Sequence, residues 1–429
     1  MVYPNVPIVV PALDEIMNKI KPHVLFISYD GMTDPLGQSQ VIPYLQGLTA
    51  NGYAITLLSC EKPEVYETGK QHIQTLLTES NIEWHPIMYT KRPPVLSTLY
   101  DIYNLKRTAK KIYRAHKFVM VHTRPGIPAL VGLWLKKKFG VAFLNDIREF
   151  YADSRVDGGM WNPSSFLYRT IYNYFKTQEF TQVKESDGIV CLTHAAEKVI
   201  NEWPVYNKQT PLEVIPCSVD LALFDPARID QELKNKYAQQ LNIHENDFVI
   251  SYLGSIGGWY LTEEMLRFCK LLSDQISEAR FLFISPHRHE QILAAASRYN
   301  IPAEKIITVK ASRKEVPVLA SFSNYSLFFI KPCFSKLSSS PTKHGELMAL
   351  GIPVITNGGV GDMYEIVTSN KAGFITDDFT DASFNNIIAT LKNKPSFSKN
   401  DIRHAAHKIY ALDNAVRAYT RLYNKILGN

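Results

Sequence analysis

The sequence is poor in the features that mark most specialised classes of protein. No apolar run approaches the roughly 18–20 residues that cross a bilayer. Cysteine is sparse: Cys60, Cys191, Cys217, Cys269 and Cys333 form an odd set with no C-x-x-C pair. That pattern argues against a disulfide framework or a zinc site, and for small buried thiols in a reducing compartment. Charge excess is small, 47 Lys and Arg against 41 Asp and Glu for a net +6. No nucleic-acid reading motif accompanies it, so nucleic acid is not an expected partner. The first residues lack a basic stretch, and Pro4, Pro7 and Pro11 interrupt their short apolar run. Residues 1–20 therefore read as an N-terminal extension rather than a secretory signal, and the chain as cytoplasmic.

What remains is an ordinary globular composition, 45% hydrophobic and 21% charged over 429 residues. That length fits two domains of about 200 residues, each able to bury well over half of its unfolded surface. Short β-branched runs begin at HVLFISY (23–29), AITLLS (54–59), IEWHPIM (82–88), KFVMVH (117–122), VAFLND (141–146) and DGIVCL (187–192). Helical patterns separate them, among them 38–52, 97–117 and 163–186. After a Pro- and Asp-punctuated segment near 216–226, a second series follows: 247–254, 279–285, 305–310, 325–331, 352–357 and 372–377, again with helices between. Continuous hydrophobic strands alternating with helices predict parallel sheets covered on both faces. The expected fold is α/β, two doubly wound Rossmann-like domains facing across a cleft, 21–216 and 217–398. Residues 399–429 read as terminal helices packing back on the first domain. Ligands of such sheets bind beyond the carboxyl ends of the strands, so function belongs in the loops there.

Four loops stand out. In YDGMTDPLGQSQ (29–40), Gly31 and Gly37 let the backbone approach a ligand, and Gln38 and Ser39 open a helix whose free N–H groups attract phosphate; a plain capped turn also fits. In NDIREFYADSRVDGG (145–159), Asp146, Arg148, Glu149, Asp153, Arg155 and Asp157 crowd one loop. A carboxylate there can bind sugar hydroxyls or take a proton from one; a solvated salt-bridged loop is the alternative. In VISYLGSIGGWY (249–260), the spacing of Gly254, Gly257 and Gly258 is not G-x-G-x-x-G, and no acid closes the unit, which disfavours a dinucleotide. Finally, IKPCFSKLSSSPTKHGELMALGIPVITNGGVGDMYEIV (330–367) has a strand ending at Lys331. The small-residue loop Ser338–Ser339–Ser340–Pro341 then leads to a helix at Thr342, with a Ser as cap. The helix's orphan N–H groups beside Lys343 form an anion pocket, and Glu346 is placed for a ribose diol. A capped helix with chance glycines is the bland alternative.

This last block resembles the donor-site helix of retaining glycosyltransferases of the GT-B fold, family 4, the glycosyl transferases group 1. The family pattern is a Glu, seven residues and a second Glu, ahead of a small-residue helix, Gly and P-V-I. Glu346 matches the second acid, and Ser338 stands where the first, which contacts the donor sugar, would fall. YDGMTDPLGQSQVIPYL resembles the family's first Gly-rich loop, VIPCSVDLALFDP its hinge, and NGGVGDMYEIV its G-G-x-x-E-I-V. YLGSIGGWY sits where the family carries a G-R-L…K-G segment, with Ser255 and Ile256 in place of its basic start. Lys343, Lys331 and Arg313 are candidates to replace that charge. The resemblance implies a retaining, metal-independent transferase with no cofactor, the nucleotide-sugar being a substrate. It implies donor contacts from Gly37, Gln38, Gly254, Ser255, Lys331, Ser339, Ser340, Thr342, Lys343 and Glu346. Asp146 falls where members carry an active-site His or Asp, with Arg148 beside it. Glu149, Asp153 and Arg155 are left to the acceptor, a glycan or lipid-linked saccharide of the kind used in cell-surface polysaccharide synthesis. A nucleotide-sugar 2-epimerase and a non-catalytic nucleotide-sugar-binding subunit are the alternatives.

From Lys91 to Lys117 there are eight Lys or Arg and one acid, Asp101, interleaved with Tyr100, Tyr103 and Tyr113. Leu99, Ile102, Ala109 and Ile112 form an apolar stripe. Such a helix can lie on an anionic membrane, here the inner leaflet, or can pack with its basic face in water.

Overall fold

A computed structural model describes residues 21–93 and 95–428; the expected extension, 1–20, lies outside the described residues. Contact density separates two compact units, divided in sequence between Leu144 and Asn145.

The first unit alternates strand and helix: β1 (His23–Ser28), α1 (Pro35–Gln40), α2 (Ile42–Ala50), β2 (Ala54–Glu61), α3 (Pro63–Glu79), β3 (Ile82–Met88), α4 (Leu96–Ala115), β4 (Met120–Arg124) and α5 (Ile127–Phe139). Strand β5 (Ala142–Ile147) carries the chain into the second unit. There follow α6 (Tyr151–Asp157), α7 (Phe166–Glu185), β6 (Gly188–Cys191), α8 (His194–Glu202) and β7 (Leu212–Val214). A fresh series then runs through α9 (Gln231–Gln240), β8 (Phe248–Leu253), α10 (Thr262–Ser273), β9 (Ala279–Ile284), α11 (His289–Arg298), β10 (Ile306–Val309), α12 (Val316–Ala320), β11 (Tyr325–Leu327), α13 (Thr342–Ala349), β12 (Val354–Asn357), α14 (Met363–Ser369), β13 (Gly373–Thr376) and α15 (Asp381–Lys392). The chain ends in α16 (Lys399–Tyr410) and α17 (Leu412–Leu427).

The strand orders are β3-β2-β1-β4-β5-β6-β7 and β10-β9-β8-β11-β12-β13. The pairs β1–β2, β1–β4, β8–β9 and β11–β8 are parallel. Both orders reverse beside their first strand, β1 with β4 and β8 with β11, and open α/β sheets bind ligands at the carboxyl ends of the strands at such a reversal. Both strands β1 and β8 are buried except at their first residue, which is why they read as unbroken apolar runs. Four of the five cysteines are buried and Cys333 is half-buried; none is in a disulfide.

Several boundaries differ from the sequence expectations. The helix expected over 38–52 is two helices, because Pro43 has no N–H to donate and Val41 leaves the helical region at φ −127°, ψ −62°. Gln38 and Ser39 do not open it: α1 begins at Pro35 with Asp34 at its N-cap. The expected loop 145–159 contains a helix, α6, with Asp153 in its first turn. The strand expected over 325–331 stops at Leu327. The terminal helix is broken at Ala411, whose backbone is extended. Helix α8, which follows the last strand of the first series, has no counterpart among the sequence expectations.

Candidate functional site

At the carboxyl end of β1 the Gly-rich loop is fastened from within. Glu61, fully buried at the end of β2, accepts the N–H groups of Met32 (2.7 Å) and Thr33 (3.1 Å) and the hydroxyls of Thr33 (2.7 Å) and Ser59 (2.6 Å). Gly37 serves packing: a Cβ there would lie 2.1 Å from the Gly31 carbonyl oxygen. Gln38 is exposed and its side-chain amide donates to the Thr33 carbonyl at 3.0 Å. Glu61 was not among the sequence candidates; its signal was an acid closing the apolar run AITLLSC.

The loop after β5 divides into three pairings. Asp146 and Arg148 are both buried and form an ion pair, Arg148 Nε to Asp146 Oδ1 2.7 Å and Nη2 to Oδ2 2.8 Å. Tyr419 of α17 donates to Asp146 at 2.8 Å and also meets Arg148. Glu149 pairs with Arg155 at 3.2 Å and accepts the Ser154 hydroxyl. Burial pulls the Arg155 guanidinium down, and Glu149 and Tyr151 together more than offset it. Asp153 faces α7, where the Tyr172 hydroxyl (2.9 Å) and Lys176 (2.7 Å) donate to it. Lys176 also reaches Glu179 at 2.6 Å, and burial pushes that carboxyl up to about 7.

The segment after β11 is tied to this loop. Ser338, at the position of the family's first acid, is fully buried: its hydroxyl donates to the Ser335 carbonyl and accepts the Phe150 N–H. Lys331 donates to the Asp157 carbonyl oxygen at 2.9 Å, and the Asp157 carboxylate accepts the Ser335 N–H at 3.0 Å. Burial would raise the Asp157 carboxyl, but these hydrogen bonds hold it below the usual carboxylate range.

Beyond the carboxyl end of β8, Gly254 turns with φ +122°, and a Cβ there would be 2.8 Å from the Lys343 amine. Lys343 is buried on α13. Its amine lies 3.6 Å from the ring centroid of Tyr260 and 4.3 Å from that of Tyr252, and has no hydrogen-bond partner among the described residues. Burial lowers its pKa well below the ordinary lysine value. One turn on, Glu346 pairs with Arg313 at 3.0 Å; burial raises its carboxyl, partly offset by the guanidinium. Between them His344 is fully buried against the Tyr410 hydroxyl at 3.0 Å and pushed down to about 3, so it stays neutral. The expected Ser cap is corrected: Pro341 is the N-cap residue, with no side-chain cap, and Ser340 Oγ accepts the Cys217 N–H at 3.2 Å instead. Thr342 opens α13. The Ser255 carbonyl accepts the Tyr252 hydroxyl.

Thus Gly254, Lys343 and Glu346 gather beyond the carboxyl end of β8. Ser339 and Ser340 line a neighbouring cavity of about 670 Å³ with Leu192, Val199, Met363 and Tyr410. On its edge Asp362 accepts the His194 and Ala195 N–H groups at 2.7 and 2.9 Å, holding the first turn of α8. Tyr252, Tyr260, Tyr419 and Asp362 were not among the sequence's site residues. Tyrosines in strands and helices read as core, and only the fold shows which cation they face.

Residues 234–408 match the family glycosyl transferases group 1. Among curated proteins none matches the chain in sequence. Solved structures share the fold at low identity. A glycosyltransferase from Rickettsia africae is 16% identical, covering 95% of this chain and 99% of its own at a TM-score of 0.69. Sucrose-phosphate synthase from Thermosynechococcus elongatus is 15% identical with the same coverage and a TM-score of 0.72. HepE from Anabaena, in complex with UDP and glucose, is 12% identical over 94% of this chain and 99% of its own, TM-score 0.67. The fold is GT-B.

Proposed function

We propose that this chain, with a glycosyl transferases group 1 segment on a GT-B fold, is a retaining glycosyltransferase that moves a sugar from a nucleoside diphosphate to a hydroxyl of a saccharide or lipid-linked saccharide. One observation carries the proposal. Lys343 is a buried amine without a hydrogen-bonding partner among the described residues, beside the Gly254 turn and one helical turn from Glu346. Such an amine is costly unless a ligand anion completes it, and a carboxylate spaced beyond it suits a ribose diol. That HepE was solved with UDP-glucose supports the choice of donor class.

In the proposed reaction the C1–O bond to the diphosphate breaks and a C1–O bond to the acceptor forms on the same face. The acceptor's proton passes to the departing phosphate oxygen. Negative charge grows on the diphosphate, where Lys343 and the first N–H groups of α13 stabilise it, an effect of about 3–4 kcal/mol for a strong donor. Asp146 and Arg148 neutralise each other, so we assign them to shaping the floor of the site. Proton transfer within the substrates then needs no free carboxylate from the protein.

A membrane-surface role is part of this proposal. On α4, Leu96, Leu99, Tyr100 and Tyr103 are 56–63% exposed. The buried face carries Asp101, Leu105, Ala109 and Ile112. Leu99 therefore leaves the apolar stripe expected from sequence and joins the exposed face of the helix, which also carries Arg107, Lys111 and Arg114. No helix among the described residues is long and apolar enough to cross a membrane. Salt-sensitive sedimentation with anionic liposomes is expected, and its absence would end the membrane role.

The central test is a thermal-shift screen against uridine, guanosine, adenosine and thymidine diphosphates and their sugars. One base is expected to raise the melting temperature. Glu346→Ala is expected to weaken that ligand by about 1.5–3 kcal/mol, roughly 10- to 100-fold. Unchanged affinity in Glu346→Ala would refute the donor site.

A further inference from the structure

A second cavity, of about 450 Å³, lies between α6 and α7 and is lined by Trp161, Tyr168, Tyr172, Arg169, Asn173, Asp153 and Asp157 among others. We propose that it binds a neutral saccharide unit of the acceptor; this rests on the transferase reading above.

Its chemistry favours a sugar over other small ligands. The axial C–H face of a pyranose is apolar and packs on aromatic rings, while its equatorial hydroxyls need donors and acceptors around the edge. Tyr168 and Tyr172 stand one turn apart on α7, and Arg169 and Asn173 repeat that spacing on the next rows, so rings and polar groups alternate along one face. Trp161 is held from behind, its ring packed on Phe175 (5.6 Å between centroids) and Tyr151 (6.1 Å).

Charge selects against ions. Asp153 is already neutralised by Lys176 at 2.7 Å and oriented by the Tyr172 hydroxyl at 2.9 Å. The remaining carboxylate, Asp157, accepts the Ser335 N–H at 3.0 Å, and Arg169 adds a charge of the opposite sign to the lining. A cavity with balanced charge, three aromatic residues and a rim amide suits a polyhydroxylated neutral ring.

Position ties the cavity to the donor segment. Asp157 accepts from Lys331 through its carbonyl and from the Ser335 N–H through its carboxylate. Ser335 lies in the 3-10 turn Phe334–Ser338 that leads to Ser339, Ser340 and α13. Beside it, Gly158 is pressed against Trp259 of the Gly254–Tyr260 turn: a Cβ at Gly158 would come 2.9 Å from the Trp259 ring. Of the residues expected to contact the acceptor, only Asp153 lines this cavity; Glu149 and Arg155 are spent on each other.

The test uses the full chain on an array of neutral gluco-, galacto- and manno-configured oligosaccharides, with Tyr168→Ala, Arg169→Ala and Trp161→Ala as variants. Wild type is expected to retain at least one configuration. Tyr168→Ala is expected to lose it by about tenfold, the worth of one well-packed aromatic contact, with its melting temperature and its thermal shift with nucleoside diphosphates unchanged. Trp161 supports neighbouring rings, so Tyr168→Ala and Arg169→Ala decide the matter should Trp161→Ala not fold. Capture of no glycan by wild type, or wild-type capture by both α7 variants, overturns the assignment even if nucleotide binds. Glycan capture lost in Tyr168→Ala, with no nucleoside diphosphate bound by wild type, upholds the cavity and overturns the transferase reading instead.

Discussion

Tyr419, on the last helix, donates its hydroxyl to Asp146 at 2.8 Å across 273 positions of sequence. The bond joins the end of the chain to the end of β5 and completes a buried ion pair. Tyr419→Phe is expected to cost about 1.5–3 kcal/mol, the value of a hydrogen bond to a charged group. Asp146→Ala strands the Arg148 guanidinium and is expected to cost about 3–5 kcal/mol. Urea denaturation measures both. If Asp146→Ala lost turnover at wild-type stability, Asp146 would be a reacting group rather than part of the scaffold.

Glu61 is the anchor of the Gly-rich loop after β1. Glu61→Ala leaves the Met32 and Thr33 N–H groups buried and unmet, at about 1–3 kcal/mol for each. Gly37→Ala forces a methyl onto the Gly31 carbonyl and is expected to lower stability by about 1–3 kcal/mol or more. Melting curves of both variants in the absence of ligand check this. A normal melting temperature in Gly37→Ala would mean that the glycine serves the ligand rather than the loop.

Glu179 gives the fold a pH dependence of known sign. Its carboxyl sits at about 7 when folded and near 4.5 when unfolded, because burial disfavours the charged form. The folded chain therefore holds this proton more tightly, and the contribution of Glu179 to stability falls as pH rises from about 4.5 to about 7, then levels. Glu179→Gln is expected to flatten that part of the profile. Urea midpoints at pH 5, 6, 7 and 8 would show it; parallel profiles for the two proteins would contradict the buried, protonated state.

Much of this architecture could be read in the sequence. The apolar runs at 23–29 and 279–285 are strands in place because both of their faces are covered, so hydrophobicity alone marks them; the edge strand at 82–88 is also in place, with Glu83 and Met88 exposed. The start of α13 at Thr342 was legible because Pro341 suits a helix N-terminus, whereas the serine cap expected there is not made. What escaped depends on distance in the chain. Nothing near Asp146 predicts Tyr419, and nothing near Lys343 predicts that Tyr252 and Tyr260 flank it. The charged loop 145–159 appeared as one cluster, yet its members fall into four groupings, since Asp146 pairs with Arg148, Glu149 with Arg155, and a helix starting at Tyr151 sends Asp153 toward α7 and Asp157 toward Ser335. Composition gives the charges of a segment, and helical rotation assigns their partners.

The Lys343 amine held between two tyrosine rings has a calorimetric consequence. Burial favours its uncharged form, whereas a phosphate arriving beside it favours the ammonium, so occupation should draw a proton from the buffer. Titrating the diphosphate in buffers of different ionisation heat would then give enthalpies that vary with the buffer and affinities that decline as the solution is made more alkaline. Lys343→Met should abolish both trends, turning a proton-coupled association into a simple one.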